Sequence, residues 1–575
     1  MIELMLGNQA VARGAYEAGV AVATAYPGTP STEITEYIAK YDEIYTEWSP
    51  NEKIALEVAI GASLAGGRAI VSMKHVGLNV AADPLFTVSY TGVNGGLVIV
   101  VADDPGMHSS QNEQDSRFYA RSAHIPMLEP SDSQEAKDYI KCAFELSEKY
   151  DTPVIVRLTT RVAHSQSLVE TAEPQPITLK EYVKNPNKYV MMPGMAKARH
   201  IVVEQRMKRL TKDSYDLDIN KIEKGNSSIG IITSGVVYHY AKEVLPEASY
   251  LKLGMIHPLP KDLILEFASK VDKLYVLEEL EPVIEEQIKS WGIQVSGKEL
   301  FSVQGEYTAN MIERAIKGST VNMKQKEELP NRPPVLCPGC PHRAVFYNLK
   351  KLKLTAMGDI GCYTLGALPP LEGIDACVCM GASIGMAHGF EKAKGKDSSK
   401  KVVGVIGDST FIHSGIGGLI DIVYNKGVST ILILDNSITA MTGHQDNPST
   451  GRTIKGEITA ALDLVALVKA TGINNVRVID PFNLKESEAA LKEEIERDQP
   501  SVIIFKRPCA LLDKSQSSPL KIDSEKCTSC GLCLKLGCPA IQKKEEGMVI
   551  DESLCNGCKL CTQVCRFNAM EGVDY

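Results

Sequence analysis

No uninterrupted apolar run in the 575 residues approaches the roughly 18 that a membrane-spanning helix needs, so no span is expected. Positive charge is not in surplus. With 62 Lys and Arg against 71 Asp and Glu, the net charge of −9 argues against a nucleic-acid footprint. The opening MIELMLGNQAVARGAYEAGV lacks a basic stretch followed by a long apolar core, so no secretory signal is expected and a cytoplasmic location is. No low-complexity segment appears. Cysteine is sparse through most of the chain: seven of the 15 precede Cys527, and eight lie between Cys527 and Cys565. In a chain read as cytoplasmic, such clustering points to metal ligation before disulfides. The remaining composition, 44% hydrophobic and 23% charged, is that of a soluble globular protein, long enough for three or four domains.

The cysteine tail is an internal duplication. Cys527, Cys530, Cys533 and Cys538 recur 28, 28, 28 and 27 residues later as Cys555, Cys558, Cys561 and Cys565, so the first half carries one extra residue before its last cysteine. Thiolates spaced C-x2-C-x2-C can cap three irons of one cubane from a single loop, and in two-cluster ferredoxins the fourth thiolate comes from the other half. On that logic Cys527, Cys530, Cys533 and Cys565 hold one [4Fe–4S] cluster, and Cys555, Cys558, Cys561 and Cys538 hold a second. The alternatives are paired zinc sites or disulfides. Zinc usually takes two pairs of ligands per ion, whereas this pattern has two triplets with a crossing fourth member. The extra residue should bulge the loop before Cys538.

Ahead of the tail, apolar strand candidates alternate with helical stretches, the signature of α/β folds with mainly parallel sheets. In residues 1–165 the strands are AVATAY, GGRAIVSMK, GGLVIVVADDPG and TPVIVRLTTR, with a helix capped by Ser31 or Thr32 after the YPGTPST turn. Residues 166–227 read as a linker region carrying one helix. Residues 228–320 form a smaller α/β unit with strands SIGIITSG, YLKLGMIHPLP and KLYVLEEL. A proline-rich connection leads to a third unit, 335–510, with strands KVVGVIGDS, VSTILILDNS and PSVIIFKRP. The ferredoxin-type unit spans 520–575.

In the third unit Gly407, Asp408 and Ser409 end one strand, and Asp435-Asn436-Ser437 end the next. The spacing is that of a strand–helix–strand crossover, whose right-handedness places both polar tips at the carboxyl edge of one sheet, where ligands bind. A carboxylate and an amide oxygen suit Mg2+, which also takes diphosphate oxygens. The small residues of HSGIGG let a helix start close to those phosphates. Alone, either tripeptide reads equally as an ordinary turn.

With the following MTGHQ, these residues resemble the thiamine diphosphate motif of the 2-oxoacid:ferredoxin oxidoreductases. GNQAVARGAYEAGV and YPGTPST resemble that family's pyrimidine-binding domain, and CPGCPHR with the ferredoxin tail is similar to its cluster-bearing subunits. The resemblance spans essentially the whole chain and is weakest in the middle unit. It implies thiamine diphosphate held by Mg2+ on Asp408, Asn436 and the Ile438 carbonyl. It implies Glu52 as the acid bonded to the aminopyrimidine, with Glu57 as rival, and Thr29 near the thiazolium and substrate, where capping is its alternative. A third, proximal [4Fe–4S] cluster on Cys337, Cys340, Cys362 and Cys509 is also implied. From the residues alone, Cys337-x2-Cys340 reads equally as a zinc half-site or a turn.

The implied reaction is oxidative decarboxylation of an aryl 2-oxoacid such as indolepyruvate, with coenzyme A as acyl acceptor and ferredoxin as electron acceptor, in company with a smaller β subunit. The rivals are the same reaction on pyruvate or a branched-chain acid, a non-catalytic electron-transfer subunit, and a non-oxidative decarboxylase. His75 and the run DDPGMHSSQNEQDSR lie on loops after strands, where sites sit in such sheets; Lys74, His108 and Arg117 are candidates for a substrate carboxylate, Arg117 by its bidentate fork, with a satisfied surface or core role as the alternative for each. His444 is a candidate for facing the cofactor. Cys377 and Cys379 alternate as in a strand and are read as packing residues, as is Cys142.

Overall fold

Every residue of the strand Leu97–Asp103 is buried, and its side chains alternate between two cores. Ile99 and Val101 enter one, Val98, Val100 and Ala102 the other. A strand covered on both faces loses the polar alternation of a surface strand, which is why the sequence reads as a continuous apolar run. The structure, a computed structural model, describes residues 1–318, 333–513 and 517–572. The chain divides into two compact units, Met1–Glu327 and Glu328–Tyr575. The proline-rich connection read between 320 and 335 falls almost wholly outside the described residues.

In the first unit Leu97–Asp103 sits within a seven-stranded sheet, between Ala69–Lys74 and Val154–Thr159. Six strands are parallel, and the seventh, Met255–His257, is an antiparallel edge. That edge corrects the reading of YLKLGMIHPLP as one strand. It breaks into Ala248–Lys252, which runs parallel to Asn226–Thr233 in a second, four-stranded sheet, and Met255–His257, which joins the first. Gly254 makes the break possible: a Cβ there would lie 2.5 Å from the Ile219 carbonyl oxygen and 2.6 Å from the Tyr139 hydroxyl. The second sheet also takes Lys221–Glu223 as an antiparallel edge, upstream of the expected start at 228.

The second unit is built on a five-stranded, all-parallel sheet in the order Thr355–Met357, Val402–Gly407, Thr430–Asp435, Ser501–Lys506, Asn475–Ile479. The helix after Val402–Gly407 begins at Asp408, five residues before the expected HSGIGG start, and passes through a wide turn at Phe411–Gly415 before Ile416–Tyr424. Such π-type turns occur often at functional sites. The tail is two short antiparallel pairs, Leu520–Ile522 with Met570–Gly572 and Ile541–Lys544 with Gly547–Ile550. These pack around their own apolar core with Ala344, Phe482 and Leu484. The α/β class with parallel sheets and a C-terminal ferredoxin-type unit is the one expected from the sequence.

Candidate active site and cysteine centres

Asp408 follows the last residue of Val402–Gly407 and is 3% exposed. Gly407 must lack a side chain, because a Cβ would lie 2.8 Å from the Tyr363 ring. One helix and one strand later, Asp435 accepts from the Ser437 N–H at 3.0 Å, and Ser437 takes a left-handed φ of 59°. This Asx-type turn folds the loop back on itself. The Asn436 side-chain amide then stands 2.8 Å from the Ile438 carbonyl oxygen and 3.3 Å from Asp408 Oδ1. With its nitrogen on this side the amide donates to both neighbours; turned the other way its oxygen would join the Asp408 carboxylate and the Ile438 carbonyl as the kind of donors a hard cation takes.

Asp408 Oδ2 is buried and makes no hydrogen bond among the described residues. Burial, with Asp435 nearby, pushes the Asp408 carboxyl up to about 7. A buried carboxylate left in this state is stabilised by a bound cation, so the donor set fits Mg2+. Ser409 accepts from the Thr439 hydroxyl at 3.0 Å, which ties the two loops together.

Sequence reasoning missed Asp359. It is fully buried, and its carboxylate accepts from the backbone of Ile360, Gly381 and Ser383 at 2.8–3.0 Å, anchoring the helix Ala382–Lys394 beside the site. The visible signal was the Gly358-Asp359 pair after a short strand, a parallel to Gly407-Asp408.

The loop that turns the Asn436 amide toward Asp408 also offers its carbonyl to the Cys509 N–H at 2.9 Å. Cys509 Sγ lies 3.9 Å from His444 Nε2, so His444 stands beside this cysteine. Burial pushes the Cys340 thiol up to about 12, with Cys337 and Cys362 adding to it, and the Cys362 thiol up to about 11, with Cys509 and Cys337 adding to it. The four expected proximal cysteines are thus electrostatic neighbours.

In the tail, Cys538, Cys555, Cys558 and Cys561 line one apolar hollow, and Cys527, Cys530, Cys533 and Cys565 line another. Each hollow takes three cysteines from one half and the fourth from the other. Among the described residues no three His, Cys, Asp or Glu side chains converge as they would on a single ion. The extra residue falls in the loop before Cys538, where a bulge was expected. It lengthens the turn Leu532–Leu536 against its counterpart Leu560–Gln563, and ends it at Gly537 with φ 64°, where a Cβ would lie 2.8 Å from Pro370.

In the first unit, Asn51 caps the helix Glu52–Leu64 by accepting from the Ile54 N–H at 3.0 Å. Glu52 is 4% exposed and lies against Gly77, where a Cβ would come within 2.6 Å of its carboxylate. Glu57 is half-exposed and pairs with Lys53, the place of a surface acid. Thr29 is half-buried, and its carbonyl accepts from Ser109 Oγ at 3.3 Å. Ser31 precedes the helix Thr32–Ile38, but its hydroxyl donates to the Gly28 carbonyl at 2.8 Å and does not cap it.

Lys74 donates to the Ser109 carbonyl at 2.6 Å, and burial pulls its ammonium down to about 8. His75 is buried, and neither ring nitrogen has a hydrogen-bond partner among the described residues. Two substrate candidates are otherwise engaged. Arg117 is buried against Asp115, Glu278 and the carbonyls of Glu279 and Glu281, a clamp between the two sheets of this unit. His108 pairs with Glu306 at 3.1 Å. Cys377 and Cys379 do not pack: strand pairing shrinks to a single Met357–Ala376 bridge, and both cysteines emerge exposed on the loop beyond it.

The "Thiamine pyrophosphate enzyme, C-terminal TPP binding domain" model matches residues 359–505. The "Pyruvate flavodoxin/ferredoxin oxidoreductase, thiamine diP-bdg" model matches 13–228, and the "4Fe-4S binding domain" model matches 548–571. With the folds described, these define a thiamine-diphosphate-dependent oxidoreductase with a [4Fe–4S] ferredoxin-type tail. Indolepyruvate oxidoreductase subunit IorA of Archaeoglobus fulgidus is 40% identical over 99% of this chain and 97% of its own length. Those of Pyrococcus horikoshii and Methanothermobacter marburgensis are 42% and 40% identical over the same shares. The chain belongs to this indolepyruvate oxidoreductase subunit family. No helix among the described residues is long and apolar enough to cross a membrane.

Proposed function

We propose that this chain is the catalytic subunit of an enzyme that converts an aryl 2-oxoacid, indolepyruvate foremost, and coenzyme A to aryl-acetyl-CoA and CO2. One proton is released, and two electrons reduce two ferredoxins by one electron each. The observation that carries the reading is the meeting of the buried Asp408 carboxylate with the Asn436 amide and the Ile438 carbonyl at the carboxyl edge of the parallel sheet. These would hold Mg2+, with Gly407 and Ser409 lining the diphosphate. Thiamine diphosphate, when bound, supplies the carbanion sink that decarboxylation needs.

The chain's own residues bind and orient. Buried Glu52 would accept a hydrogen bond from the aminopyrimidine, and a low-dielectric setting strengthens that bond. Thr29 would stand near the substrate. Cys337, Cys340, Cys362 and Cys509 would hold a proximal [4Fe–4S] cluster, and the two tail sets one each. A smaller β subunit is the expected partner, in keeping with relatives named as subunits. The indole preference is taken from those names.

Anaerobic enzyme purified with its partner subunit, assayed by coenzyme A-dependent dye reduction on a panel of 2-oxoacids, tests the reading. Aryl acids should outrun pyruvate, 2-oxoglutarate and branched-chain acids. Asp408→Ala should lose bound thiamine diphosphate and at least ~100-fold in turnover. Full turnover in that variant would instead make this a non-catalytic electron carrier. About twelve irons per chain are expected, falling to about eight in Cys362→Ser if that residue holds the third cluster.

A further inference from the structure

Arg343 is 2% exposed, and among the described residues no carboxylate pairs with it. Its Nη1 donates to the Leu536 carbonyl at 2.8 Å. Its Nη2 donates to the carbonyls of Leu336 at 2.6 Å and Cys337 at 3.0 Å. Its Nε makes no hydrogen bond among the described residues. The accepting carbonyls come from two distant stretches, one just ahead of Cys538 and one at Cys337. The guanidinium lines the hollow of Cys538, Cys555, Cys558 and Cys561. Gly537, the residue that ends the lengthened turn, approaches it so closely that a Cβ would lie 3.3 Å from Nη1.

A buried guanidinium is costly unless an anion balances it, and carbonyl dipoles satisfy its N–H groups without cancelling its charge. Arginine does not lose its proton in proteins. The negative charge close by belongs to sulfur. Cys538, Cys555, Cys558 and Cys561 line the same hollow as Arg343, and its Nη2 holds the Cys337 carbonyl. Among the described residues no Arg or Lys lines the hollow of the Cys527 set.

We propose that Arg343 is the fixed positive charge that makes the iron–sulfur site of Cys538, Cys555, Cys558 and Cys561 a better electron acceptor than the Cys527 set. The inference rests on the cysteine assignments proposed above. Reduction adds one electron to a site, and an immobile cation at its wall stabilises the more negative state. Net charge and hydrogen bonding around the sulfurs are among the factors that set such potentials. Arg343 is a positioning residue for electrons and touches no substrate.

The test is a redox titration followed by electron paramagnetic resonance on the anaerobic complex with its partner subunit, for the wild type, Arg343→Met and Arg343→Lys, with iron and acid-labile sulfide measured in each. The signal altered in Cys558→Ser identifies the hollow concerned. Arg343→Met should keep its iron but lose about tenfold in the reduced-to-oxidised ratio of that signal at a fixed potential, about 59 mV for one electron. The Cys527-set signal should move far less, and Arg343→Lys should stay near the wild type. Full iron with unmoved midpoints, equal shifts in all signals, or a Lys variant as low as the Met variant would overturn the assignment. So would loss of iron from both variants, which would make the residue a structural tie. Wild-type complex without iron would instead sink the cysteine assignments themselves.

Discussion

Glu52 and Glu57 occur on one helix five residues apart, and composition does not rank them. Burial does: Glu52 is enclosed at the helix start, whereas Glu57 is paired at the surface. Burial has a second consequence at residue scale, at Glu279. This carboxyl accepts from the Tyr307 N–H at 2.9 Å, yet desolvation pushes it up to about 7 from an ordinary 4.5. Between those values the folded chain keeps a proton that the unfolded chain has released. Its contribution to stability is therefore whole below pH 4.5 and is lost as pH rises through 7. Glu279→Gln should flatten that part of the pH dependence of unfolding, read by denaturant titration at pH 4.5 and 7.5. A slope identical to the wild type would show that the group titrates normally.

At the scale of elements, two contacts are open to direct trial. The helices Glu52–Leu64 and His75–Val80 meet through Gly77, whose missing side chain leaves room for the Glu52 carboxylate. Gly77→Ala should displace that carboxylate and cut turnover about 10- to 100-fold with little loss of stability, because a misplaced catalytic group costs that order of rate. Kinetics equal to the wild type would remove Glu52 from the site. Arg117 clamps the strand-end loop carrying Asp115 to Glu278, which follows Lys273–Leu277 in the second sheet. Arg117→Met removes the paired guanidinium from two buried carboxylates and should cost about 3–5 kcal/mol in unfolding free energy. The surviving folded enzyme should keep its KM for the 2-oxoacid, since Arg117 is spent on structure; a large rise in KM would return it to the substrate.

For the molecule as a whole, iron removal offers a test that does not depend on turnover. Chelation under anaerobic conditions should raise amide hydrogen exchange across 517–572 and around Leu336–Arg343, where carbonyls meet Arg343. The strand Leu97–Asp103, buried on both faces, should stay protected. Uniform loss of protection would mean that the cysteine centres support the whole chain. Much of this molecule was readable before folding. The strands of the parallel sheets, the duplicated cysteines and the paired Gly-Asp-Ser and Asp-Asn-Ser tips are local patterns, because hydrophobic run length, ligand spacing and turn chemistry act between near neighbours in the chain. What only the tertiary structure decided was remote pairing. It split YLKLGMIHPLP between two sheets, took Arg117 from the substrate to a clamp, put Cys377 and Cys379 into solvent, and brought Arg343 from one motif to the wall of another 193 residues away. Burial and charge compensation depend on which distant segments meet, and no spacing along the chain encodes that.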